Sequence, residues 1–210
     1  MNAEVINAPV VAISRHRIAT DGEGVTTLVA FHSCPLRCRW CLNPHTWREG
    51  STYRMMTPRQ LLTGVIMDDL YFKATGGGIT FGGGEPALRS RFIEEFRRIC
   101  PNEWKINIET SLNVPSEHIR RLAGIVDEWA IDIKDMDPVI YKEYTGCDNV
   151  RMIENLKYLA SQSLAGRCSI RIPLIPDFND DRSRKAGIRK LQDMGFTRFD
   201  EFEYITEINK

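Results

Sequence analysis

Val25-Thr26-Thr27-Leu28-Val29-Ala30-Phe31, followed after His32-Ser33 by Cys34-Pro35-Leu36-Arg37-Cys38-Arg39-Trp40-Cys41, is the stretch on which the reading of this chain turns. The first seven residues are β-branched or apolar and read as a strand. The cysteines then fall in a loop at the C-terminal end of that strand, with Pro35 inside it. Three ligand-type side chains within eight residues can wrap a single metal centre.

Outward from this point the chain alternates short apolar runs with amphipathic stretches. Residues 78–81, 105–109, 129–133, 168–174 and 200–204 read as further strands. Helical patterns lie between them at 58–69, 87–99, 116–126, 150–163 and 181–194, with a short helical turn at 138–144. Thr57-Pro58-Arg59-Gln60 offers a capping hydroxyl, proline at the first helical position and glutamine where a capping box needs it. Phe92, Ile93, Phe96 and Ile99 recur at helical spacing, with Glu94, Glu95, Arg97 and Arg98 opposite. Strand–helix repetition of this kind demands parallel strands and right-handed crossovers. Six strands are too few for a closed eight-stranded barrel. The expectation is therefore an α/β fold, a partial (β/α)6 barrel with its active site at the strand C-termini, in one domain spanning 1–210.

Composition narrows the class. In 210 residues with 42% hydrophobic content there is enough apolar surface for one core. Lys plus Arg and Asp plus Glu each total 28, and no basic run points to nucleic acid or anionic lipid. No window approaches the roughly eighteen apolar residues of a membrane span, and no leader pattern opens the chain, so a cytoplasmic protein is expected. There thiols stay reduced. Cys100, Cys147 and Cys168 stand alone and read as small buried hydrophobes. The clustered trio reads as metal-binding. A structural zinc site completed by His32 or His45 is one possibility. The three-then-two spacing, with no second ligand pair, favours an iron–sulfur cube held at three irons, its fourth iron open to a small molecule.

With its aromatic residue before the last cysteine (Trp40), this loop resembles that of the radical S-adenosylmethionine superfamily. The likeness extends from residue 13 to 205. Asp21-Gly22-Glu23-Gly24 precedes the first strand, and Asn43-Pro44 follows the cysteines. Gly76 to Pro86 runs Gly-Gly-Gly-Ile-Thr-Phe-Gly-Gly-Gly-Glu-Pro. Ile131-Asp132-Ile133-Lys134 and Arg171-Ile172-Pro173-Leu174-Ile175-Pro176 come later. The ordered series is similar to the glycyl-radical-enzyme activating enzymes of the pyruvate formate-lyase type.

That resemblance implies one [4Fe-4S] cluster on Cys34, Cys38 and Cys41, which reductively cleaves S-adenosyl-L-methionine so that a 5′-deoxyadenosyl radical can be made. The radical then takes a hydrogen atom from a glycine of a partner glycyl radical enzyme, without air. Flavodoxin or ferredoxin would supply the electron. Trp40, Gly82, Gly83, Gly84, Glu85, Glu109, Asp132, Lys134 and Arg171 would face S-adenosylmethionine, with a monovalent cation near Asp132 and Glu109. Asp21, Gly22 and Gly24 would hold the substrate loop. Two departures stand out: Thr26 replaces an arginine of the family pattern, and the chain stops at Lys210, short of the usual C-terminal helix.

The residues themselves argue in the same direction. Glycines at a strand end permit close backbone approach. Asp132 and Lys134, on one face of a strand, would be costly inside unless paired. Arg171 among apolar neighbours needs an acceptor. Asn179-Asp180 reads as a helix cap, and Gly76-Gly77-Gly78 as a flexible turn. Besides the activase, a radical enzyme acting on another peptide or small molecule, and a non-catalytic metal-binding module, remain open at this point.

Overall fold

A computed structural model describes residues 5–18 and 20–204; residues 1–4, 19 and 205–210 lie outside that description. Its strands are β1 (Ala8–Ile18), β2 (Val25–Phe31), β3 (Arg54–Met56), β4 (Gly78–Gly83), β5 (Lys105–Thr110), β6 (Glu128–Asp132), β7 (Cys168–Leu174) and β8 (Arg198–Glu203). The α-helices are α1 (Pro58–Val65), α2 (Asp69–Thr75), α3 (Ser90–Ile99), α4 (Ser116–Leu122), α5 (Pro138–Thr145), α6 (Val150–Ser161) and α7 (Asp181–Asp193). The strands form an open sheet in the order β3-β1-β2-β4-β5-β6-β7-β8. The pairs β2–β4, β4–β5 and β7–β8 are parallel, as the strand–helix alternation demands. The α/β class and the parallel strand succession expected from sequence are observed, in an open sheet of eight strands where six were read.

Two strands are additional. β1 pairs antiparallel with β2, and β3 pairs antiparallel with the start of β1. Both escape a pattern reading for physical reasons. β1 carries Pro9 inside it, breaks register twice, and has His16 at φ 57° where the second shift falls. That mixes its two faces and erases the period of two. The helix read at 58–69 stops at Val65; a 3-10 turn over Ile66–Asp68 leads into α2.

The described residues fall into two compact units. The first takes in the described chain up to Cys34, with Asn43–Glu109 and Glu117–Trp129; the second takes in Pro35–Leu42, Thr110–Ser116 and the described chain from Ala130 to Tyr204. In the first, Phe31 stacks on Phe81 at 5.5 Å and meets Phe92 edge-on, and Phe81 meets Phe96 edge-on. The apolar face of α3 thus seats on β2 and β4 as its spacing predicts. Thr57 and Gln60 close the anticipated capping box on α1. In the second unit, Asn155 of α6 donates to the carbonyls of Leu112 and Val114, fixing a loop in which Leu112 has φ 57°.

Gly77 and Gly78 do more than turn. A Cβ on Gly77 would lie 1.9 Å from the Val25 carbonyl oxygen, and one on Gly78 2.1 Å from that of Lys105. They let β4 enter between β2 and β5, so the flexible turn read from sequence is corrected to an obligatory close approach.

Asp68 is a buried charge of the first unit. Its carboxylate accepts from Arg15 Nε at 2.9 Å and Thr27 Oγ1 at 3.0 Å, with His16 Nε2 also 3.0 Å away. Burial alone would raise its pKa, but the Arg15 guanidinium, with Thr27 and His16, holds it below the usual carboxylate value. The charged form is therefore favoured by folding. That contribution is complete above the unfolded pKa near ~4 and is lost as pH falls through the lower folded value. Asp68→Asn should cost about 2–3 kcal/mol at pH 7. Urea unfolding of both proteins at pH 7 and pH 3 should show the gap shrinking in acid.

Candidate active site

The cysteine loop begins where β2 ends. In the first unit Ser33, at φ 88°, donates its N–H to the Thr46 carbonyl at 2.7 Å and accepts from the Glu85 N–H at 2.7 Å. Gly84 N–H donates to the Phe31 carbonyl, and the Arg89 guanidinium reaches the His32 carbonyl and Ser33 Oγ. Cys34 is thus delivered from a backbone held on several sides. Arg89 was not among the residues singled out from sequence, because nothing local marks it.

In the second unit the loop rests on the C-terminus of α5. That helix ends on Gly146 in the left-handed conformation, φ 75°, leaving carbonyls without intrahelical donors. Thr145 O accepts from Arg37 N at 2.9 Å and Tyr144 O from Arg39 N at 3.0 Å. Cys147 Sγ donates to Pro35 O at 3.4 Å. Cys100 and Cys168 are the buried hydrophobes expected, but Cys147 is only half-buried and lines a cavity of about 400 Å3 with Pro35, Lys142 and Arg151. The lone-hydrophobe reading of Cys147 is corrected accordingly.

Cys38 packs with Trp40 on a buried group formed by Tyr144, Ile175 and Tyr204. Burial, then the neighbouring Cys41 and Asp132, push the Cys38 thiol up to about 11 against the opposing pull of Lys134. A metal must therefore displace a proton there. Trp40 Nε1 and Tyr144 Oη are buried with no hydrogen-bond partner among the described residues. Such donors cost roughly 1–3 kcal/mol each unless an acceptor arrives. Three thiols on one loop, with unspent donors beside one of them, fit a sulfur-rich cofactor. Among the described residues no three His, Cys, Asp or Glu side chains converge by themselves as a metal site, so the sequence spacing carries the donor-set argument.

Also in the second unit, Lys134 Nζ lies 3.5 Å from Asp132 Oδ2 and 5.6 Å from the centre of the Tyr204 ring. Arg171, central in β7, lies 4.0 Å from Asp132 Oδ1. Burial would lower the Lys134 pKa, but Asp132 foremost drives it above the ordinary ammonium range. β6 ends at Asp132, so Lys134 is not on the strand as the alternation argument had it. The pairing that argument inferred is nevertheless present. Asp180 caps α7 through Ser183, while Asn179 binds Asp135, Pro173 O and the Ile175 N–H.

In the first unit Gly82 and Gly83 end β4, and Gly84 follows. A Cβ on Gly82 would meet Glu109 Oε2 at 2.9 Å; Gly83 has φ 93°, and a Cβ on Gly84 would meet Ser33 O at 2.3 Å. The neighbours that demand glycine are thus the chain's own backbone and Glu109. Glu85 is buried and accepts from Ala87 N, capping a 3-10 turn. Asp21 is buried, paired with Arg17, and its carbonyl accepts from Thr80 Oγ1 at 2.6 Å. Gly22 and Gly24 press on Asn107 and Thr75. Arg17 is the cross-strand partner of Thr26, so a guanidinium stands on β1 opposite the residue that lacks one.

A family model described as the Radical SAM superfamily matches residues 28–198. Among curated proteins, the chain is 26% identical to a (2S)-3-sulfopropanediol dehydratase activating enzyme of Klebsiella oxytoca, covering 88% of this chain and 80% of that protein. It is 30% identical to the pyruvate formate-lyase 1-activating enzyme of Escherichia coli, over 77% of this chain and only 65% of that protein's length. A 4-hydroxyphenylacetate decarboxylase activating enzyme of Clostridioides difficile is 28% identical over 76% of this chain and 70% of its own. Among solved structures, Streptococcus suis SuiB bound to S-adenosylmethionine has the same fold, with TM-score 0.64 and 16% identity, covering 87% of this chain and 43% of that one.

Gly84→Ala should push Ser33 and lower the melting temperature by about 3–10 °C. Gly124→Ala, where a Cβ has open space, should change it by little. Thermal unfolding followed by circular dichroism measures both.

Proposed function

This chain belongs to the radical SAM superfamily, and from that premise we propose that it is a glycyl-radical activase. The observation that carries the proposal is the spacing of Cys34, Cys38 and Cys41 directly after the first parallel strand, in a chain whose curated relatives are activating enzymes. Those three cysteines would hold a [4Fe-4S] cluster with one iron left for S-adenosylmethionine. When bound, the pair supplies an electron to the sulfonium and a 5′-deoxyadenosyl radical that takes a hydrogen atom from a glycine of the partner enzyme.

The chain's own residues bind, orient and shield. Backbone groups of Gly82, Gly83 and Gly84 would approach the methionyl end, a contact that side chains there would block. Glu85, buried and spent on a cap, would hold that strand end rather than ligate. Lys134 and Arg171, both paired with Asp132, offer cations for a carboxylate, and Asp132 offers an acceptor for a ribose hydroxyl. Trp40 would cover the cofactor beside Cys41. Asp21, Gly22 and Gly24, braced by Arg17 and Thr80, would hold the partner's glycine loop. The electron would come from a flavodoxin or ferredoxin, an outside donor to the one cysteine cluster in this sequence.

The test is anaerobic reconstitution with iron and sulfide. Dithionite-reduced protein should convert S-adenosylmethionine to methionine and 5′-deoxyadenosine and raise a doublet electron paramagnetic resonance signal in a co-expressed glycyl radical enzyme. Cys38→Ala should take cleavage below about 1% of wild type, and His45→Ala should leave it unchanged. Uptake of zinc alone, or a reduced cluster that leaves S-adenosylmethionine intact, would sink the proposal. Exposure to air should abolish activity, measurable as loss of cleavage with loss of the cluster's visible absorbance.

A further inference from the structure

Tyr144 closes α5 at 1% exposure, and its hydroxyl makes no hydrogen bond among the described residues. Tyr204 and the Trp40 backbone lie near enough to perturb the phenol, yet neither sits at bonding geometry. The indole N–H of Trp40, in the same small group of side chains, is likewise buried and unmatched. Folded proteins pair nearly all such groups, and a phenylalanine would fill the Tyr144 site without the orphaned donor. Cys38 packs against the same group, which contains Tyr144. A cluster on the cysteine loop would bring sulfur acceptors to that group.

Resting on the cluster reading above, we infer that the Tyr144 hydroxyl donates a hydrogen bond to a cluster sulfur at Cys38 and thereby raises the cluster's reduction potential. A proton shared with sulfur draws electron density from the iron and favours the more negative, reduced state. The loop is fixed to Tyr144 through its own carbonyl, which accepts from Arg39 N. One residue thus sets both the position of the loop and the electronic character of what it holds.

The experiment uses the full chain, reconstituted anaerobically, with its potential titrated by electron paramagnetic resonance and visible absorbance. Tyr144→Phe should keep the iron content and lower the reduced-to-oxidised ratio at a fixed solution potential on the order of threefold to tenfold. Incorporating 3-fluorotyrosine at position 144, a stronger donor of nearly unchanged shape, should move the ratio the other way. Opposite shifts are not what a purely structural tyrosine would give. An unchanged ratio in the fluorotyrosine protein overturns the inference whether or not Tyr144→Phe folds, and leaves the cluster reading standing. A chain that assembles no [4Fe-4S] cluster overturns that reading, and the inference with it.

Discussion

A carbonyl at the end of a helix has no donor of its own, and the cysteine loop of this protein is built on two of them. Gly146 stops α5 in the left-handed conformation, and the Tyr144 and Thr145 carbonyls are taken up by Arg39 N and Arg37 N. A loop of this kind has few hydrogen bonds to itself, so its shape must be borrowed from a regular element nearby. The helix end supplies that shape. The donors in both bonds are the loop's own backbone amides.

The same economy of buried polar groups runs through both units. Asp68 lies inside the first, satisfied by Arg15, Thr27 and His16 from two strands. Asp21 is enclosed with Arg17 and Thr80. In the second, Lys134 and Arg171 share Asp132. Such pairs add little net stability over apolar replacements, yet each is costly to leave half-made, which is how they hold loops in one arrangement. Among the described residues, two buried donors without acceptors, Trp40 Nε1 and Tyr144 Oη, belong to the second unit's small aromatic group or pack on it, as does Cys38. Unspent hydrogen-bonding capacity of this sort marks where a group from outside the chain belongs.

Glycine has two separate meanings in this fold. At Gly77, Gly78 and Gly84 the carbonyls of Val25, Lys105 and Ser33 stand where a Cβ would go, so the glycine is demanded by packing of strand on strand. At Gly83 and Gly146 the backbone itself is left-handed. A string of glycines in sequence shows neither distinction, because both depend on what lies across from each residue.

The amino-acid sequence alone was enough to place the parallel strands, six of the helices in outline, the capping box at Thr57 and the cysteine loop, since each rests on local periodicity or on ligand spacing within a few residues. It also carried the superfamily. Tertiary structure alone decided the rest. β1 hides behind Pro9 and two register shifts. Arg17 faces Thr26 only through antiparallel pairing, and Arg89 reaches Ser33 across 56 residues of chain. Tyr144 meets Cys38 because α5 ends where it does. Those relations are set by distance through space, which a one-dimensional pattern does not encode.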